Sequence, residues 1–385
     1  MTSIIDYLPG DWRDALLLGR LQRPEGPSPI LVRNGRVFDV SRTAPTSADI
    51  IAAGGFAAMS GEDLGPLEDF DFEVSWASSA GASKLLSPID LQCVKASGVT
   101  FAVSAVERVI EERARGDAGK AVEIRNTLAE RVGADLSAVK PGSDQAMALK
   151  DALIADGLWS QYLEVAIGKD AEIFTKSPVL SSVGWGDYVG VRADSHWNNP
   201  EPEVVVICDP SGRAMGACLG NDVNLRDIEG RSALLLGKAK DNNASAALGP
   251  FIRLFDDGFT MDDVRAATIA LEVTGTDGFV MKGSSSMSLI SRDPEDLIAQ
   301  TGGESHQYPD GFALYLGTMF APIDDRDAPG QGFTHKMGDR VRVSSERLGV
   351  LENTVTTSEQ APPWTMGVSA LMRNLAGRGL LGATV

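Results

Sequence analysis

Two apolar runs stand out in the middle of the chain, Glu203-Val-Val-Val-Ile-Cys208 and Ala214 to Leu219. Short apolar runs bounded by turn residues read as strands. The same reading predicts strands over 268–274, 312–317, 340–344 and 348–355. Nearer the N-terminus, Ile30-Leu31-Val32 and Val37-Phe38-Asp39-Val40 flank Asn34-Gly35, a hairpin signal. A helical period replaces the strand pattern from Ala105 to Arg115, with Val106, Val109 and Ile110 on one face. Ala121 to Val132 and Asp144 to Asp156 read as two further helices. Shorter helices are expected near Ser232–Ala239, Asp262–Ala267, Pro294–Ala299 and Gly367–Leu375. Mixed strands with segregated helices predict an α+β, β-rich architecture. Gly61 to Phe72 and Ser78 to Ser83 read as loop and linker. They divide a small N-terminal α/β domain, 1–84, from a larger domain, 85–385, that carries a helical insertion at about 105–165.

Composition narrows the class. The length of 385 residues allows two or three domains and a large core. A formal charge of -18 argues against nucleic acid as a partner. An anionic ligand must therefore be held by local cations. Cys93, Cys208 and Cys218 are odd in number and sit in apolar contexts, which predicts reduced thiols and a cytoplasmic protein. The opening MTSIIDYLPGDW lacks a signal-peptide pattern, and no apolar run approaches 18 residues, so no membrane span is expected.

The chemistry concentrates at the edges of the two apolar runs. Strand side chains alternate, so Glu201 and Glu203 point to the same face. If the two runs pair, Asp222, just past Gly220-Asn221, joins them. Three converging carboxylates repel one another unless a cation neutralises them. All-oxygen ligation suits Mg²⁺, Ca²⁺ or Mn²⁺. The plainer reading of each acid is a solvated strand face or a turn residue.

An ordered set of motifs then resembles the fumarylacetoacetate hydrolase superfamily over about residues 85–380. They are Leu85-Leu86-Ser87-Pro88, Gly98-Val99-Thr100-Phe101, Phe174-Thr175-Lys176-Ser177-Pro178, Glu201-Pro-Glu203, Asn221-Asp222-Val-Asn-Leu-Arg226-Asp227, Lys240 before Leu248-Gly249-Pro250, Gly317-Thr318 and Gly338-Asp339. Within it the chain is most similar to the dehydratases of 2-keto-3-deoxypentonates, through GVTFAVSAVERVIEERARGDAG, HWNNPEPEVV, GNDVNLRDIEGRSALLL and QYPDGFALYLGTMFAP. The resemblance implies a mixed β-roll catalytic domain, bound Mg²⁺ and a homodimer or homotetramer. It also implies a lyase of oxidative pentose catabolism. Its expected reaction dehydrates a 2-keto-3-deoxy sugar acid, foremost 2-keto-3-deoxy-D-xylonate, to 2,5-dioxopentanoate through a metal-stabilised enolate. Hydrolysis or decarboxylation of an acylpyruvate or diketo acid is the alternative.

The resemblance places Glu201, Glu203 and Asp222 at the metal and Arg226, Lys176, Thr318 and Lys240 near substrate, and from these residues Glu107, Lys240 and Ser104 are expected to carry catalysis. Glu107 is expected as base or proton shuttle, and Lys240 as a partner of enolate charge. Hydrolases of the superfamily carry a His three residues before the lid Glu, whereas Ser104 stands there in this chain. Losing that imidazole argues against activating water. Plainer readings exist here too. Glu107 lies in a charge-rich helix where surface i,i+4 pairing is common. Ser104 could be the N-cap of that helix, with Glu107 completing a capping box. The helical insertion is expected to be a lid or an oligomer contact.

Overall fold

The computed structural model of the chain describes residues 2–77, 83–121, 124, 139–155, 157, 159–320, 322, 324–328 and 332–382. The helix expected over 121–132 and the linker at Ser78 to Ser83 fall almost wholly outside these residues.

Among the described residues, an 11-stranded mixed sheet forms the body of the molecule. Its strands are β1 (Leu17–Arg23), β2 (Gly26–Arg33), β3 (Arg36–Asp39), β4 (Glu62–Pro66), β5 (Cys93–Gly98), β6 (Glu172–Ser177), β8 (Pro202–Cys208), β9 (Ala214–Asp222), β10 (Ala246–Leu254) and β13 (Phe312–Tyr315), with a short strand at Lys84–Leu86 pairing β1. Their order is β4-β3-β2-β1-β10-β9-β8-β13-β5-β6. A second, five-stranded sheet runs β7-β15-β14-β11-β12, from β7 (Tyr188–Val191), β11 (Thr268–Thr274), β12 (Val280–Ser286), β14 (Arg340–Ser345) and β15 (Gly349–Thr357).

The apolar runs make sense in this setting. All seven residues of β8 are buried. Val204, Val206 and Cys208 pack into one core, and Val205 and Ile207 into another on the opposite face. A strand covered on both sides needs a continuous apolar run, not alternation. The Asn34-Gly35 hairpin forms as expected: β2 and β3 pair through Arg33 and Arg36, and Asn34 and Gly35 both have positive φ (51° and 71°). These N-terminal strands extend the main sheet, because Leu17 and Leu18 of β1 pair with Arg253 and Ile252 of β10. Strand β10 itself does not read as a strand in sequence, because Gly249-Pro250 suggests a turn. The strand instead runs through a cis Gly249–Pro250 bond, opposite an irregularity of β9 between Ala217 and Leu219.

Three helices make a separate layer: α1 (Ala102–Ala114), α2 (Asp144–Ala155) and α3 (Gln161–Ile167). Val106, Val109 and Ile110 of α1 pack with Leu153, Leu163 and Ile167, and with Val99 and Trp197 from the body. The insertion is thus clamped over one end of the sheet. Among the described residues no helix is long and apolar enough to cross a membrane.

Candidate active site

The two apolar runs pair antiparallel, with Pro202 opposite Asn221 and Glu203 opposite Gly220. The next step of that register places Asp222 beside Glu201, where the Asp222 N–H donates to the Glu201 carbonyl at 2.9 Å. Glu201, Glu203 and Asp222 each offer a carboxylate oxygen within 4.8 Å of the others. All three are buried. The Gly317 N–H donates to Glu203 Oε2 at 2.7 Å, which fixes one end of that carboxylate. Glycine is required at this position: its φ is +96°, and a Cβ would lie 2.0 Å from Thr100 Oγ1.

Cations surround the acids. Lys240, at the end of a short helix, bridges Glu201 Oε2 and Asp222, with 3.0 Å to Asp222 Oδ2. Lys176 lies beneath Asp222, its ammonium 2.8 Å from Oδ1. That ammonium also donates to the Val223 carbonyl at 3.1 Å and to the Lys240 carbonyl. Arg108 of α1 reaches Glu201 Oε1 at 2.5 Å, Glu111 at 2.6 Å and Glu229 at 3.1 Å. Arg226 Nε lies 2.8 Å from Glu111 Oε1 as an ion pair, and its Nη1 donates to the Pro322 carbonyl at 3.0 Å. Its guanidinium also sits 3.6 Å from Glu107 and over the Trp197 ring.

These neighbours set the protonation states. Burial alone would raise Glu201, but Lys240 and Arg108 pull it down to about 2. Burial, reinforced by Asp222 and Glu201, holds Glu203 well above the usual carboxylate range. Burial also raises Glu172, and raises Glu229 to about 7 against the pull of Arg108. Lys240 goes the other way. Burial disfavours its charge, yet Asp222, Glu201 and Glu229 together raise it, so it stays an ammonium. Burial lowers Lys176, opposed by Asp222.

A cavity of about 20 Å³ is enclosed by the three acids together with Arg108, Glu172, Glu229, Lys240, Ser104 and Thr318, among others. No histidine lines it. A larger cavity of about 220 Å³, which includes Arg20, Tyr188 and Trp364 in its walls, shares no residue with it.

The expected site residues fall in three positions. Glu201, Glu203, Asp222, Lys240, Ser104 and Thr318 come together around the small cavity. Lys176 and Arg226, expected at substrate, lie behind the acids and do not line it. Glu107 is also off its walls, buried beside Arg226. The surface reading of Glu107 is therefore corrected: it is only 7% exposed. The N-cap reading of Ser104 is corrected as well. Helix α1 begins at Ala102, one residue after Phe101, so Ser104 sits in its first turn. There its hydroxyl donates back to the Phe101 carbonyl at 2.8 Å. Arg108, Glu111, Glu172 and Glu229 were missed. The i,i+4 spacing of Glu107 and Glu111 was the one available signal, because it puts both on one side of α1.

No family model matches the chain. A probable 2-keto-3-deoxyxylonate dehydratase from Haloferax volcanii is 25% identical over 268 residues, 64% of this chain and 89% of that protein. A 2-dehydro-3-deoxy-D-arabinonate dehydratase from Saccharolobus solfataricus is 30% identical over 183 residues, 47% of this chain and 57% of that protein. Among solved structures, a 2-keto-3-deoxy-D-arabinonate dehydratase complexed with magnesium and 2,5-dioxopentanoate superposes with a TM-score of 0.61 at 20% identity. It covers 89% of this chain and 99% of its own. A fumarylacetoacetate hydrolase from psychrophilic Exiguobacterium antarcticum superposes with a TM-score of 0.57 at 17% identity, covering 89% and 100%. The α+β, β-rich fold is that of these solved structures, a fumarylacetoacetate hydrolase among them, and the resemblance carried by the motifs is borne out.

Proposed function

We propose that this chain, with the fumarylacetoacetate hydrolase fold and relatives named as pentonate dehydratases, is itself a Mg²⁺-dependent hydro-lyase of 2-keto-3-deoxypentonates. The product is 2,5-dioxopentanoate, and 2-keto-3-deoxy-D-xylonate, from oxidative pentose breakdown, is the foremost substrate. One observation carries the reading most: a buried cavity that gathers three carboxylates, two cations, further carboxyls and hydroxyls, and no imidazole.

Glu201, Glu203 and Asp222 fit a hard divalent cation. They are buried, all oxygen donors and within 4.8 Å of one another, and burial together with their mutual repulsion raises Glu203. Mg²⁺ bound there would supply Lewis-acid polarisation of the 2-keto group.

The protein groups supply the rest. The reaction removes a proton from C3 and expels the C4 hydroxyl, which needs a proton to leave as water. A proton shift from C5 then gives an enol that becomes the aldehyde. Glu172 is suited to protonate the leaving hydroxyl, because burial keeps its carboxyl neutral to higher pH than usual. Lys240, held as an ammonium, donates hydrogen bonds to developing negative charge on the substrate. Ser104 and Thr318 offer hydroxyls to substrate oxygens, and Glu107 on α1 is the proton shuttle. A cavity of about 20 Å³ has room for an ion or one water and not for a sugar acid. We infer that the wall, to which helix α1 contributes Ser104 and Arg108, opens to admit substrate.

The test is a panel of 2-keto-3-deoxy sugar acids and acylpyruvates, assayed with Mg²⁺ and with EDTA. Formation of 2,5-dioxopentanoate only with Mg²⁺ is expected. Pyruvate as product, or undiminished turnover in EDTA, refutes the reading.

A further inference from the structure

Arg108 belongs to none of the groups discussed as catalytic, yet it meets three carboxylates from three parts of the chain. Glu111 lies one turn on along α1, at 2.6 Å. Glu229 ends the short helix Arg226–Glu229, at 3.1 Å. Glu201 precedes β8, at 2.5 Å. The arginine is 8% exposed and lies in the wall of the small cavity. Its two terminal nitrogens divide the work. Nη1 donates to Glu111 and lies 3.1 Å from Glu229 Oε2, and Nη2 donates to Glu201 Oε1. The other oxygen of Glu201 is taken by Lys240.

The two cations differ in what they can fix. An ammonium on a four-carbon stem is a compact charge that tolerates many carboxylate orientations. A guanidinium is a planar fork, so anchoring one nitrogen sets the direction of the other. With Nη1 anchored by its hydrogen bond to Glu111 and drawn by the charge of Glu229, Nη2 is aimed at Glu201. The plane of the Glu201 carboxylate is thereby set from outside the acid cluster.

We propose that Arg108 is the positioning residue of the acid cluster, orienting Glu201 for a divalent cation and latching α1 onto that site. The proposal rests on the metal-dependent reading of the cluster. It extends the site by one residue of the cavity wall that acts through Glu201. It also means that displacing α1 to admit substrate loosens Glu201, so cation affinity and α1 position are coupled.

Electrostatics and geometry predict opposite signs here, which makes the proposal testable. Removing a positive charge beside a cation site should tighten cation binding if charge alone mattered. Losing an outer partner of a ligand weakens metal affinity, typically by about 10–100-fold. Mn²⁺ binding to the purified full chain, read from the EPR signal of free Mn²⁺, separates the two without any substrate. Arg108→Lys keeps the charge and loses the fork, and Arg108→Met loses both. Each should bind Mn²⁺ at least about tenfold more weakly than the parent, with a melting temperature that still reports a folded protein. If Arg108→Lys binds Mn²⁺ within twofold of the parent, or Arg108→Met binds it more tightly, the positioning role is overturned. Failure of the parent to bind Mn²⁺ overturns the metal reading and this proposal together. Full Mn²⁺ binding without dehydratase turnover overturns the reaction alone.

Discussion

Glu203 offers a prediction in which stability and function move in opposite directions. Its carboxyl is buried, faces Asp222 and Glu201, and has one firm hydrogen bond, from the Gly317 N–H at 2.7 Å. Two unit charges at the 4.8 Å limit within which these carboxylate oxygens lie repel by about 3.5 kcal/mol at an effective dielectric constant near 20. Lys240 and Lys176 offset part of this at Asp222, and the metal-free protein escapes more of it by holding a proton on Glu203. Replacing Glu203 by Gln removes the charge at nearly constant volume and keeps an acceptor for Gly317. The expected gain for the metal-free protein is therefore about 1–3 kcal/mol at neutral pH. The pH dependence has a fixed sign. The folded carboxyl binds its proton more tightly than the unfolded one, so the parent loses stability as pH rises above about 4.5, and the gain from Gln should grow over that range.

Metal narrows or reverses that difference. A cation present at 100 times its dissociation constant stabilises the parent by about 2.7 kcal/mol. Glu203→Gln removes one of three anionic donors, so its gain should be far smaller, and dehydratase activity should fall with it. Urea unfolding of both proteins in EDTA and in excess Mg²⁺ checks this. A variant less stable than the parent in EDTA refutes the like-charge argument. Equal gains from Mg²⁺ refute Glu203 as part of the metal site.

Two further outcomes follow from titratable groups at and near the core. Glu172→Gln and Glu107→Gln should each lower kcat by about 10²–10⁴ with Mn²⁺ affinity retained if both side chains move protons. A loss under tenfold for Glu107→Gln would leave that residue as no more than a partner of Arg226. His335 is fully buried with Nδ1 3.2 Å from Asp339, and burial lowers its pKa against the pull of that carboxylate. Protons therefore favour the unfolded chain, so stability should fall as pH drops below about 6.5. Urea melts at pH 7.5 and 5.5 should show a smaller fall for His335→Gln, and an unchanged slope would refute the assignment.

The acid triad was legible because a strand has only one geometry. Period two puts Glu201 and Glu203 on one side, and antiparallel pairing with the next apolar run leaves one place for Asp222. The cations around the triad were not legible for the opposite reason. Arg108 meets Glu201 across 93 positions of sequence, and no spacing rule reaches that far. Strand β10 was hidden by Gly249-Pro250, whose local chemistry argues for a turn while pairing to β9 and β1 holds it extended. Helix α1 shows the limit most sharply. Arg108 and Arg113 share a residue type, a helix and a charge-rich neighbourhood, yet one is buried among carboxylates and the other is exposed. Helical period assigns a face, but it does not say whether that face meets water or another protein layer. Here a second layer covers it, because α3 packs on one flank of α1 and the Arg226–Glu229 helix on another. Charges that would be surface decoration on an isolated helix thus become the outer wall of a buried site. That conversion depends on the insertion being clamped to the sheet, so the charges of α1 and the position of the layer have to be read together.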